Sequence, residues 1–240
     1  MSLRETVVEA PFGPPVRGFA TTRRGGVSTP PFDTLNLGGR DDDPEAIAAN
    51  RSRLDALIPS PPHWLNQVHG GKVVHLDDWH AGIEADAAWT DAPGRAVAVL
   101  TADCLPVLLA DRLGRCVAAV HAGWRGLAAG IVDNAVSALP VAPERLEAWI
   151  GPRISQADYE VGEAVRSALA GFASRFIANR PGHWLADLPG IAADQLSAAG
   201  VGRIVESGEN TAGDPECYFS VRRDGRTGRM AALAWIDAGR

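Results

Sequence analysis

The stretch Thr101-Ala102-Asp103-Cys104-Leu105-Pro106-Val107-Leu108-Leu109-Ala110-Asp111-Arg112-Leu113-Gly114-Arg115-Cys116-Val117-Ala118-Ala119-Val120-His121-Ala122-Gly123-Trp124-Arg125-Gly126 decides how this chain is read. Residues 105–111 and 115–121 are apolar runs of strand length, and Arg112-Leu113-Gly114 between them reads as a turn. The pair predicts an antiparallel hairpin. With the turn centred between Arg112 and Leu113, Asp111 faces Gly114 and Cys104 faces His121. Directly opposed residues hold their Cβ atoms about 4.5–5.5 Å apart, so a thiol and an imidazole placed there can share one ion. Pro106 limits pairing at that end.

Around the hairpin, short strands and single helices alternate. Asp43-Pro44-Glu45 opens a helix running to about residue 57, with Asp43 as N-cap and Pro44 at the first helical position. Residues 72–76 and 95–102 are strand candidates. Residues 126–139 carry Leu127, Ile131, Val132, Ala135, Val136 and Leu139 at helical spacing. A strand at 146–150, helices at 162–172 and 189–199, and a strand at 203–206 follow. A second hairpin, 217–222 with 230–236, closes the chain. The first 45 residues, rich in Gly, Pro, Thr and Asp, read as loops and short strands. This mixture predicts an α+β fold in one domain spanning 1–240, with mixed or antiparallel sheets flanked by helices.

Bulk properties exclude several classes of function. A net charge of −6 argues against a nucleic-acid surface. No apolar run approaches the roughly 20 residues of a membrane span, and the first residues lack the apolar stretch of a signal peptide. A cytoplasmic monomer is expected. Cys104, Cys116 and Cys217 form no CxxC pair, so a disulfide framework is not expected. Cys116, inside an apolar run, reads as a small buried hydrophobe.

A third segment, Asn66-Gln67-Val68-His69-Gly70, adds an imidazole in a glycine-bounded context. Two histidines and a cysteine are the donor set of a catalytic zinc ion, which keeps its fourth position open. His69, Cys104 and His121 are therefore the candidate metal ligands, with His75 the nearest spare. Asp103 is a candidate to accept from a ligand's second ring nitrogen or to move protons, and Asp86 is a weaker one. Its alternative is a carboxylate capping the end of a strand. Arg125, just before a helix, offers an anion site, and the segment 21–28 with Arg24 offers further donors. Trp124 either stacks on a planar base or fills core.

Taken together, these segments resemble the bacterial YfiH/YlmD family, once called the laccase-domain or polyphenol-oxidase family and now read as purine nucleoside phosphorylases. The likeness spans nearly the whole chain: FATTRRGGVSTPPFDTLNLGGR, NRSRL, NQVHG, EADAAWTDAPG, AVLTADCLPVLLAD, VHAGWRGLAAGIV, IGPRI and FSVRRDGRTGRMAALAWI. It implies His69, Cys104 and His121 as metal ligands and Ser28 as a nucleoside contact. It also implies phosphorolysis of adenosine, inosine, guanosine and methylthioadenosine, with hydrolytic deamination of adenosine. Val221 and Cys217 depart from the family pattern, which usually has Tyr and Arg there.

A multicopper oxidase needs a blue-copper site and a three-copper cluster, far more imidazole than six histidines provide. Copper(II) outranks zinc in affinity, so adventitious copper and weak phenol oxidation fit the same three ligands. The expected activity uses zinc, a purine nucleoside and phosphate, the last held by Arg125 and Arg24. Two rivals remain among enzymes. One is a zinc-dependent amide hydrolase editing cell-wall precursors. The other is a thiol hydrolase with Cys104 as nucleophile and His121 as base. A metal that only fastens loops is the non-catalytic alternative.

Overall fold

The computed structural model describes residues 6–39 and 41–239. In chain order the elements are β1 (Val7–Glu9), β2 (Val16–Thr21), α1 (Pro44–Asp55), β3 (Val73–His75), β4 (Ala87–Thr90) and β5 (Val97–Thr101). Next come β6 (Leu105–Asp111), β7 (Val117–Ala122), α2 (Trp124–Ala128), α3 (Ile131–Ala138) and β8 (Leu146–Ile150). β9 (Glu160–Gly162), α4 (Glu163–Ala168), β10 (Phe176–Arg180), β11 (His183–Ala186) and α5 (Leu188–Ala198) follow. β12 (Arg203–Glu206), α6 (Val221–Asp224) and β13 (Met230–Ile236) complete the chain.

The fold is α+β, as expected. An antiparallel sheet runs β1-β2-β13-β5, and a mixed sheet runs β12-β8-β6-β7-β4-β3. A small antiparallel sheet, β10-β11-β9, stands apart. The alternation of side chains along β6 and β7 explains the layering. Leu105, Val107 and Leu109 join Ala118 and Val120 against α3 and α5, through Ile131, Val132 and Ile191. Leu108, Ala110, Val117 and Ala119 face the other way and meet Val97, Val99, Ala232 and Ala234 of the four-stranded sheet. That sheet's outer face carries Phe19, Ala98 and Leu233 against Leu54 of α1. The hairpin is therefore buried on both faces, which is why its strands read as unbroken apolar runs. Among the described residues no helix is long and apolar enough to cross a membrane. The reading of the N-terminus falls in part on residues 1–5, outside the described residues.

The hairpin exists, but its register differs from expectation by two residues. Pro106 pairs with His121 and Leu105 with Ala122. The loop is longer than three residues: Asp111 N donates to Cys116 O at 3.0 Å. The Asp111 carboxylate accounts for the length. It accepts from Leu113 N at 3.2 Å and Arg115 N at 3.1 Å, closing the chain around itself. Cys104 consequently faces Gly123, not His121.

Other elements depart in instructive ways. The helix expected over 126–139 begins earlier and breaks in two, because Gly130 adopts a left-handed φ of 73° between α2 and α3. The second half of the helix expected over 162–172 tightens into a 3-10 segment, Ala170–Arg175. The closing hairpin does not form. Residues 217–220 lead into α6, which begins at Val221 and is capped by Ser220, whose hydroxyl accepts from Arg223 N. β13 instead lies inside the four-stranded sheet, between β2 and β5. Asp43 caps α1 as expected, accepting from Glu45 N.

Candidate metal centre

Three chain segments converge at the end of the β6–β7 hairpin. His121 is the fifth residue of β7, Cys104 immediately precedes β6, and His69 sits in the loop before β3. Their ligand atoms all lie within 4.8 Å of one another. The two imidazoles meet edge to face, with centroids 4.7 Å apart. Burial is graded across the cluster: His121 is buried, Cys104 half-buried and His69 exposed. The centre therefore opens to solvent on the His69 side.

Backbone conformation brings these groups together. His69 has a φ of 60° and Asp103 a φ of 91°, the only described non-glycine residues in the left-handed region. Such conformations cost an L-residue roughly 1–2 kcal/mol and persist only when neighbours enforce them. At Asp103 the enforcement is plain. Its carboxylate accepts from Thr211 Oγ1 at 2.7 Å and from Arg222 N at 2.7 Å, and its carbonyl accepts from Ile154 N at 3.0 Å. Gly123 supplies space, since a Cβ there would stand 2.9 Å from Cys104 Sγ and 3.1 Å from His69 Cδ2.

Asp86 is the carboxylate that reaches the ligands. It is fully buried, and its Oδ1 accepts from His121 Nδ1 at 2.8 Å. A carboxylate only accepts, so Nδ1 carries the proton and Nε2 is the nitrogen free to bind. The role considered for Asp103, accepting from a ligand's ring nitrogen, thus belongs to Asp86. The reason is the left-handed turn at Asp103, which sends its side chain toward Thr211 and α6.

The electrostatics favour a thiolate. Burial alone pushes the Cys104 thiol up, but hydrogen bonds from His121 and His69 outweigh it and bring the thiol down to about 6. Burial lowers His121, and its bonds to Asp86 and Cys104 overcome this, raising it to about 9. Burial pushes the Cys116 thiol up to about 12. Cys116 is buried, as its apolar run implied. All three cysteines are free.

The remaining candidates are less uniformly placed. Arg125 lies in the first turn of α2, exposed, with its guanidinium 4.4 Å from the Trp124 ring centroid. Among the described residues its guanidinium makes no hydrogen bond or ion pair. Arg24 is engaged, donating from Nε to Glu216 O at 2.9 Å, and lines a groove with Arg23, Asp33 and Pro215 that includes none of the three ligands. Ser28 is buried, donating to Asp42 Oδ2 at 2.7 Å and accepting from Asn50 Nδ2 at 2.9 Å. Its hydroxyl proton is already committed, so the structure gives it no free donor for a nucleoside. His75 accepts from Asp77 N at 3.3 Å through Nδ1, packs near Trp89 and is not part of the three-residue cluster.

Two further side chains adjoin the cluster: Tyr159, and Arg222 of the basic pair Arg222-Arg223. Burial and the Cys104 charge push the Tyr159 hydroxyl up to about 12, and the guanidinium of Arg222 lies 4.9 Å over its ring. Arg222 Nη1 donates to Glu160 O at 2.7 Å, tying α6 to β9 beside the centre. Only Gly123, in His-Ala-Gly-Trp, carried a local signal, a glycine two residues after a ligand. Tyr159 carried none, because tertiary structure alone brings it near.

The donor set fits a divalent ion. Two imidazoles and a thiolate suit zinc in a three-ligand site with one open position. No second group of three or more ligand-type side chains occurs among the described residues. A trinuclear copper cluster has no counterpart there.

Comparison with known proteins identifies the family and supports the fold. Residues 17–237 match the sequence family described as multi-copper polyphenol oxidoreductase laccase. A Pseudomonas aeruginosa protein called purine nucleoside phosphorylase is 46% identical, over 92% of this chain and 94% of its own. The Escherichia coli purine nucleoside phosphorylase YfiH is 44% identical over the same shares, 92% and 94%. A Neisseria meningitidis crystal structure superposes with a TM-score of 0.93 at 41% identity, covering 97% of this chain and 98% of that one. YlmD from Geobacillus stearothermophilus gives 0.86 at 31% identity, covering 94% of each chain. The chain belongs to the YfiH/YlmD family.

Proposed function

We propose that this chain is a zinc-dependent purine nucleoside phosphorylase that accepts adenosine, inosine, guanosine and methylthioadenosine, and that it also deaminates adenosine by hydrolysis. The observation that carries the reading is the meeting of His69, Cys104 and His121, with the exposed guanidinium of Arg125, four residues beyond His121 in sequence, resting on the Trp124 ring and free of hydrogen bonds among the described residues. The substrate class rests on the names of the relatives. A zinc ion held by the three ligands would supply Lewis acidity beside the reacting nucleoside. Copper entering the same three side chains would allow weak phenol oxidation as a side reaction.

In phosphorolysis a phosphate oxygen attacks C1′ of the ribose as the bond from C1′ to the purine nitrogen breaks. The bonding pair leaves with the base, which takes up a proton, and the products are free purine and ribose 1-phosphate. Arg125 holds the phosphate, its guanidinium steadied on the Trp124 ring. In deamination one water replaces the amino group at C6, and ammonia leaves. Tyr159, kept protonated, presents a hydroxyl donor near the thiolate. Asp103 serves by anchoring the turn before Cys104, because both its oxygens already accept hydrogen bonds. We assign no phosphate contact to Arg24 and no nucleoside contact to Ser28. We place the enzyme in the cytoplasm as a monomer, where reduced thiols and its substrates coexist.

The test is to incubate metal-assayed protein with inosine and adenosine, with and without phosphate, and separate the products. Phosphate-dependent hypoxanthine and adenine, with inosine formed from adenosine without phosphate, are expected. Intact nucleosides in the presence of bound metal would sink the reading. A second reading draws on one observation: Asp86, His121 and Cys104 line up as carboxylate, imidazole and lowered thiol, the order of a thiol hydrolase. Such an enzyme keeps its activity after chelation and loses it on alkylation.

A further inference from the structure

Asp86 binds both histidine ligands through one side chain. Its Oδ1 accepts from His121 Nδ1 at 2.8 Å and from His69 N at 2.9 Å. Its Oδ2 accepts from Gly70 N at 2.7 Å and from Val68 N at 3.2 Å. Its carbonyl accepts from His121 N at 2.7 Å, and its own N–H donates to Lys72 O at 3.0 Å. Every polar atom of the residue is spent on the two segments that carry the ligands. The side chain is completely buried, so no water substitutes for these partners.

We propose that Asp86 is the positioning residue of the centre: it fixes the ring nitrogen that His121 offers and holds the left-handed turn that aims His69 at Cys104. The proposal rests on the metal-centre reading above. Only a carboxylate meets four converging N–H donors, because it has lone pairs on both oxygens and no proton of its own. An amide of the same shape fails on one side or the other. If its NH₂ faces Gly70 and Val68, the turn at His69 loses the one oxygen that accepts both of those hydrogen bonds and gains a clash of donors. If the NH₂ faces His121, the ring must accept at Nδ1, and the proton moves to Nε2, the nitrogen needed for the ion. In the first orientation the His69 turn is compromised, in the second both histidines are, and in either case the thiolate stays.

The experiment compares wild type, Asp86→Asn and Asn134→Ala as purified full-length proteins. Asn134 Nδ2 donates to Gly71 O at 2.7 Å, so its removal loosens the same loop without touching a ligand. Zinc affinity is read by competition with a chromophoric chelator, and the ligand set by the visible spectrum of the cobalt(II) form. Asp86→Asn is expected to weaken zinc by about 10–100-fold, the range for lost support of a ligand. Its cobalt(II) spectrum should keep the thiolate charge-transfer band while the d–d bands shift. Asn134→Ala should keep wild-type affinity and spectrum. Equal zinc binding by wild type and Asp86→Asn, or equal losses in both variants, overturns the positioning role.

A second measurement needs no variant. Nitrogen-15 NMR of the zinc-loaded wild type should show His121 protonated at Nδ1 and metal-bound at Nε2. Metal at Nδ1 overturns the proposal even if Asp86→Asn does not fold. Wild type that binds neither zinc nor cobalt removes the metal-centre reading itself, an outcome distinct from a silent substitution at Asp86.

Discussion

Gly123 stands against Cys104 so closely that a methyl group at residue 123 would lie 2.9 Å from the sulfur. Real Cβ atoms do not come so near, so the Gly123→Ala protein must move Cys104 or His69. Zinc affinity should fall roughly tenfold or more, as when a ligand's support is lost. The melting temperature of the metal-free protein should change little, because the strain sits at the rim of the hairpin. Chelator competition and thermal melting check both statements.

Arg125→Ala removes an exposed cation that makes no hydrogen bond among the described residues, without touching a candidate ligand. The KM for phosphate should rise about 10–150-fold, the equivalent of a charge-assisted hydrogen bond of roughly 1.5–3 kcal/mol. Bound zinc should stay at the wild-type level, and deamination of adenosine, which uses no phosphate, should proceed as before. Steady-state kinetics of both reactions on one preparation decide it. An unchanged KM would mean that phosphate sits elsewhere.

Metal removal should expose one reactive thiol. With Cys104 held at about 6, its thiolate fraction in the chelated protein rises through pH 6 and is nearly complete a unit or so higher. Alkylation should follow that curve. Cys116, buried and pushed up to about 12, should stay unmodified over the same range. Added zinc should protect Cys104. Mass spectrometry of protein alkylated between pH 5 and 8 gives the profile directly, and a midpoint near the ordinary thiol value would contradict it.

Leu108 packs between the two sheets, fully buried and away from the ligands. Leu108→Ala should destabilise the protein by about 2–5 kcal/mol through lost transfer energy and the cavity left behind. Zinc stoichiometry should be unaffected. Denaturant unfolding measures the first, and metal analysis of the folded fraction the second.

The three candidate ligands were legible, and the fold brings them together, because imidazole and thiol side chains in glycine-bounded segments are chemically distinctive wherever they fall. The hairpin was legible from its apolar runs. Its register was not, because Asp111 folds back on Leu113 and Arg115 and lengthens the loop, a choice that the local residues do not announce. The order of strands was equally hidden. β13 enters the sheet beside β2, more than two hundred residues earlier, and long-range pairing leaves no trace in a local pattern. Asp103 attracted attention by adjacency to Cys104, whereas Asp86 does the work at the ligands from a different strand connection. Neighbours in space outrank neighbours in sequence at such a centre.

The left-handed conformations of His69 and Asp103 carry a meaning beyond geometry. Each holds a side chain where an unconstrained polypeptide would not leave it, so the centre lowers the stability of the fold that contains it. Selection for thermal robustness alone would relax the turn at His69 early, whereas Asp103 is kept by the hydrogen bonds of its carboxylate. Heat tolerance would improve, and the three donor atoms would drift apart. The chain thus trades robustness for readiness, and a stabilised version should be sought anywhere except at these two positions.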